Sequence, residues 1–233
     1  MNIGIDYSLK SPAVTIIDSK GDYHFLCFPR TDVIKSIVEK YLVACDVYVK
    51  VLDKEPTLAK KATLAERERS SLIDANKQIS DIVSSIHSHH SEYIWDISNP
   101  EDLKYNVGIE GFSFASTGNR LAQISGYQWV LRYMLFQSGK LKPENLHVYA
   151  PMTVKATAGK GNYKKDDMIA AFLNSTDPHL IKSPFWKTMH SNPEFFQNKK
   201  GGWEKPIDDI IDSFWVLQTL LKNTVELSNE ECI

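Results

Sequence analysis

Apolar and polar residues alternate through the first thirty positions. Ile3, Ile5 and Tyr7 are separated by small or polar residues, and the runs 12–18 (PAVTIID) and 22–28 (DYHFLCF) have the same strand character. Gly21 and Asp22 between those runs suit a hairpin turn. The pattern predicts three short strands in an antiparallel meander. From 32 to 52 the period lengthens. Val33, Ile37, Tyr41, Leu42 and Val49 suit a helix, and Pro56 interrupts it. A second helix is predicted over roughly 58–87, carried by Leu64, Leu72, Ile79, Ile82, Val83 and Ile86. Its middle (AERERSS) is charged and reads as solvated or facing a partner. His87, His89 and His90 at its end read as a frayed, exposed terminus rather than a metal-ligand set.

The second half of the chain alternates strand and helix. Residues 105–110 (YNVGIE) predict a strand that ends in an acid. A helix is expected from about Asn119 to Gln137, with Gly118 before it and Gly139 as its stop. A strand follows at 146–150, ended by Pro151, and then a helix near 165–173. The stretch 174–206 holds four prolines and the aromatics Phe185, Trp186, Phe195, Phe196 and Trp203. It reads as a long functional insertion or a flexible loop. Pro206 opens a last helix whose Ile207, Ile210, Ile211, Phe214, Leu217 and Leu221 keep helical spacing. This order predicts an α/β protein with a mixed sheet flanked by helices. It forms one domain over 1–233, with insertions near 53–95 and 174–206.

Composition narrows the class. Hydrophobic residues make up 42% of the 233 positions, enough for a real core. Cys27, Cys45 and Cys232 are odd in number and widely spaced, which argues against zinc and disulfide frameworks and for a reducing compartment. No apolar run approaches the ~20 residues of a membrane helix. A soluble, cytoplasmic protein without a membrane partner is the expectation. The net charge of −2 argues weakly against duplex binding. Its distribution argues the other way. Lys140, Lys142, Lys155, Lys160, Lys164 and Lys165 crowd positions 140–165 with a single acid, Glu144. Such a patch can hold phosphates, although a lysine-rich stretch is more often plain solvated surface.

The candidate chemistry is acidic. Asp6 and Glu110 each end an apolar strand, and neighbouring strands would bring the two carboxylates to one sheet edge. Asp209 and Asp212 are three apart on a helix and share a face. Taken singly, these residues are a turn former, a strand end and a pair complementing a helix dipole. Asp208 is ambiguous, since it lies four residues before Asp212. Together, four carboxylates repel unless a cation neutralises them. Hard oxygens suit Mg²⁺ or Mn²⁺. Two such ions about 4 Å apart can activate water and stabilise a phosphodiester leaving oxygen.

The motifs around these acids resemble the RuvC family of Holliday-junction resolvases. GIDYS at 4–8 is similar to that family's first-strand motif. Glu110 with LAQISG at 121–126 resembles the second, across a loop shorter than usual. APMTVKATAGKGNYKKDDM at 150–168 is similar to its P-x-x-V-K…G-x-G…K segment, the most specific of the matches. IDDIIDS at 207–213 resembles its terminal D-x-x-D motif. The order and spacing hold over most of the chain.

The resemblance implies an RNase H-like fold and a homodimer that uses Mg²⁺ to nick four-way DNA junctions in pairs, in recombination and repair. It assigns the metal-binding and catalytic carboxylates to Asp6, Glu110, Asp209 and Asp212, and so favours Asp209 over Asp208. It assigns DNA contacts to Lys155 and Lys165, with Lys160 and Lys164 in the same basic segment. In the family this segment is a strand–loop–helix, with Gly159 and Gly161 permitting a tight loop near a phosphate backbone. The family's loop after the second acid carries a Phe that wedges into the junction. Phe112 and Phe114 flank the corresponding position, Ser113. The two insertions make the chain longer than a typical bacterial member and resemble phage-encoded members, for which the compartment is the host cytoplasm. Three other readings compete. One is a nuclease for other branched DNA or RNA–DNA hybrids. Another is a junction-binding protein without catalysis. The third is an actin-like kinase or ATPase, which needs a second phosphate-binding hairpin not found here. The substitution D6N is expected to abolish cutting of a four-way junction while sparing its binding, read by gel-shift and cleavage assays on the same substrate; undiminished cutting would remove Asp6 from the site.

Overall fold

The computed structural model describes residues 1–92, 104–111 and 119–230. Three strands come first: β1 (Asn2–Asp6), β2 (Ala13–Ile17) and β3 (Tyr23–Cys27). They pair antiparallel as predicted, with Ile5 opposite Val14 and Thr15 opposite Phe25. Gly21 turns the second hairpin at φ 86°. Next come helix α1 (Ser36–Ala44) and the two-residue strand β4 (Tyr48–Val49). Helix α2 (Leu64–Glu92) and strand β5 (Tyr105–Glu110) follow, then α3 (Asn119–Gln137) and β6 (Leu141–Tyr149). Four helices complete the chain: α4 (Pro151–Ala158), α5 (Lys165–Leu173), α6 (Pro184–Ser191) and α7 (Ile207–Glu230).

The sheet order is β4-β3-β2-β1-β5-β6. β5 joins β1 in parallel, and β6 joins β5 in parallel. This is a mixed six-stranded α/β sheet flanked by helices. Side-chain alternation divides the core in two. Ile3, Ile5, Val107 and Ile109 face a layer made by α2 and α3. The opposite face carries α7, backed by α1, α4, α5 and α6.

α7 reaches unusually close to the sheet. Gly4, in the middle of β1, faces the backbone of Ser213 and Leu217, and a Cβ at position 4 would collide with both. Beside it, the hydroxyls of Thr15 and Ser213 share a 2.7 Å hydrogen bond in full burial. The indole of Trp215 donates to Met168 O at 3.1 Å, and Thr219 donates to Thr157 at 2.9 Å. These bonds hold α5 and α4 on the outer side of α7.

Several elements differ from expectation. The helix predicted over 32–52 is shorter. Asp46, at φ 66°, turns the chain after α1, and Tyr48–Val49 pair in parallel with β3. Leu64 and Leu72 of α2 are exposed, while Ala75, Ile79, Ile82, Val83 and Ile86 are buried. The segment at 150–168 is helix–loop–helix, because Pro151 opens α4 at once. The stretch 174–206 is ordered rather than irregular. Ser183 caps α6 by accepting from Trp186 N, and Phe185 and Phe196 are fully buried in the α7-side core. The aromatics there fill the core under α1 and α5. G4A is expected to lower stability by about 1–3 kcal/mol through overpacking against a backbone that has no rotamer to yield, measured as a lower urea midpoint with an unchanged slope.

Candidate active site

Strand parity places the acids. Asp6 and Glu110 share the parity of Gly4 and Gly108, so both side chains point to the α7 face. The parallel register of Ile5 with Ile109 sets Asp6 beside Glu110 at the C-terminal ends of β1 and β5. The first turns of α7 lie over this edge. They bring Asp209 and Asp212 within electrostatic reach of Asp6. Asp209 is 3% exposed, whereas Asp6, Glu110 and Asp212 keep partial exposure.

Crowding alters their titration. Burial first, then the charges of Glu110, Asp212 and Asp209, holds the Asp6 carboxyl well above the usual range. Burial and then Glu110 push Asp212 up to about 7. Burial raises Glu110 against the opposing charges of Lys155 and Lys165. Burial and Asp208 raise Asp209 against Lys205. Asp208 goes the other way. Burial would raise it, but Lys205 and Lys165 together lower it.

Lysines edge the cluster. Lys165 pairs with Asp208, and Lys155 sits on α4 close enough to Glu110 to influence its charge. Lys160 and Lys164 are exposed on the connection between α4 and α5. Gly159 lies against the ring of Tyr163, where a Cβ would come 2.5 Å from Oη, and a Cβ on Gly161 would come 2.8 Å from Met152 Cγ. Internal packing and a φ of 156° therefore favour glycine at 159, while the exposed Met152 side chain could give way at 161. Phe112 and Phe114 lie outside the described residues.

One functional neighbour escaped the sequence reading. Lys205 lies 2.5 Å from Asp209 Oδ1 and 2.9 Å from Asp208 Oδ2. Burial would lower its pKa, but Asp209 and Asp208 raise it. Its spacing of three and four residues before those aspartates was the available signal. The second oxygen of Asp209, Oδ2, is buried with no hydrogen-bond partner. Among the described residues, no three His, Cys, Asp or Glu side chains stand as a closed metal-ligand group.

A separate cleft of about 860 Å³ lies on the other face, between α2 and α3, lined by Leu64, Leu72, Asp74, Gln123, Tyr127 and others. Asp74 in its lining pairs with the buried Arg30 at 2.6 Å and accepts from Tyr127. None of the four acids lines it.

Fold and site together define a mixed α/β protein with a carboxylate cluster at the C-terminal edge of its central strands, edged by lysine. Among solved structures the chain is similar to one described as the Thermus thermophilus RuvC structure, with 12% identity, a TM-score of 0.47 and 96% of each chain covered. No protein-family model and no curated protein matches the sequence. No helix among the described residues is long and apolar enough to cross a membrane.

Asp212 binds its proton with a raised pKa in the folded state. The folded state holds this proton more tightly than the unfolded chain does. Its contribution to stability is therefore lost as pH rises from about 4 toward the folded value. Without divalent metal, D212N is expected to melt higher than wild type at pH 8, with the difference shrinking toward pH 4 in a series of thermal melts.

Proposed function

We propose that this chain is a RuvC-like endonuclease that cuts four-way DNA junctions by paired nicks, using Mg²⁺ or, in its place, Mn²⁺. The observation that carries this reading is the convergence of Asp6, Glu110, Asp209 and Asp212 on one sheet edge, with Lys155 and Lys165 beside them. The donor set fits a hard divalent cation. It is all carboxylate, Glu110 and Asp209 raise the proton affinity of both Asp6 and Asp212, and a buried oxygen of Asp209 lacks a partner. Asp6, Glu110, Asp209 and Asp212 would hold the ions, two per site, and when bound these supply an activated water and charge stabilisation at the leaving oxygen.

The chain's own residues do the rest. Lys155 and Lys165 bring positive charge to the acidic edge, where a phosphodiester would otherwise be repelled. Lys160 and Lys164 extend that charge over the surface of the α4–α5 connection. Gln128 donates to Glu110 O at 3.1 Å and steadies the end of β5. Phe112 or Phe114 acts as the wedge into the open junction centre. A homodimer serves the substrate's near two-fold symmetry, one active site for each of two matching strands.

The test is cleavage of synthetic four-way junctions beside a flap, a Y-junction and an RNA–DNA hybrid, with products mapped on every strand. Symmetric paired nicks on the junction in Mg²⁺, and none in EDTA, are expected. Comparable cutting of flap or hybrid would assign the broader nuclease activity. Junction binding with no cutting in either metal would assign a non-catalytic role.

A further inference from the structure

The acidic edge contains a lysine that no motif accounts for. Lys205 ends the connection from α6 and stands just before the first turn of α7. Its ammonium therefore falls back on the carboxylates three and four residues later. The connection is anchored. Glu204 N donates to Phe196 O at 2.8 Å, Ile207 N donates to Glu204 O at 3.0 Å, and the Glu204 carboxylate pairs with Lys35. Lys205 is thus delivered to the site by a packed segment, not by a loose loop. Its ammonium is shared between the buried Asp209 and Asp208.

The two aspartates are placed differently. Asp209 belongs with Asp6 and Asp212, and it has one oxygen on Lys205 and one without a partner. Asp208 stands to one side and already holds Lys165 as well as Lys205. An ammonium that leaves Asp209 therefore has an anionic partner 2.9 Å away. The charged head need not cross open solvent to get there.

We infer that Lys205 is a tethered counter-cation of the carboxylate cluster, which holds Asp209 before metal arrives and yields it to a divalent ion by shifting onto Asp208. Metal loading is then an exchange of one cation for another, with Lys205 as a positioning residue acting through Asp209. The inference rests on the metal site proposed above and adds a residue to it. A fixed positive charge beside the site also lowers its affinity for any second cation. Removing the charge should therefore tighten metal binding while weakening the metal-free fold.

The test uses the full chain, stripped with EDTA, as wild type, K205M, K205Q, K205R and D6N. Mn²⁺ is titrated by calorimetry, and melting temperature is recorded with and without Mn²⁺. K205M and K205Q are expected to bind Mn²⁺ at least about tenfold more tightly than wild type. They should melt lower without metal and gain more on Mn²⁺ addition, while K205R stays near wild type in the metal-free melt. A K205M chain unfolded without metal that folds when Mn²⁺ is added supports the same conclusion. Unchanged or weaker Mn²⁺ binding by folded K205M or K205Q, with wild-type binding intact, overturns the role of Lys205 alone. Wild type that binds no Mn²⁺ overturns the metal site and this inference together. Mn²⁺ binding lost in D6N upholds the metal site whatever the Lys205 variants do.

Discussion

The close approach of α7 to β1 at Gly4 governs the rest of the molecule. A side chain at position 4 would lift the helix off the strand, and with it the turn that carries Asp209 and Asp212. The Thr15–Ser213 hydrogen bond fixes the helix along the strand. Gly108 on β5 continues the same flat track beneath Val216 and Leu220. α7 in turn is the surface on which α4 and α5 sit, through Thr219 and Trp215. The lysines of those helices therefore owe their distance from the acids to the same contact. A local absence of side-chain volume sets the geometry of an electrostatic site.

That site holds its charge against physical preference. Four buried or half-buried carboxylates at one edge would not stay ionised unaided, and the protein answers in two ways. Part of the charge is met by protons, through the raised pKa values of Asp6 and Asp212. Part is met by ammonium groups, through Lys205 and Lys165 on the aspartates of α7. The second route has a directional consequence. Asp208 is held ionised by the lysines, while its neighbour Asp209 is turned toward the strand ends. Adjacent residues of one type thus take opposite electrostatic roles because a helix points them about 100° apart.

Much of this arrangement was legible in the sequence. The alternation around Asp6 and Glu110 put each acid at a strand end, and the period of the last helix paired Asp209 with Asp212. What the sequence lacked was contact. Strand parity became a shared face only once β1 and β5 were known to pair in register. Gly4 looked like one small residue in a strand, since its role depends on a helix more than two hundred positions later. Tyr48 and Val49 continued an apparent helical pattern, and only the exposed edge of β3 recruits them as a strand. Prolines made 174–206 look irregular, yet two of them open short helical turns, and Phe185 and Phe196 follow them into the core. Lys205 was hidden for the same reason, lying in the segment read as a loop.

The packing of Tyr163 on Gly159 carries one more consequence. The bend between α4 and α5 is filled from inside by a tyrosine ring, and the backbone N–H of Lys164 is bound by Asp167 at 2.8 Å. The ammonium groups of Lys160 and Lys164 are thus displayed from a backbone whose shape is settled during folding. If the proposed DNA contacts are made here, a polyanion would find little main chain left to immobilise, and less of its attraction would be consumed in ordering the protein.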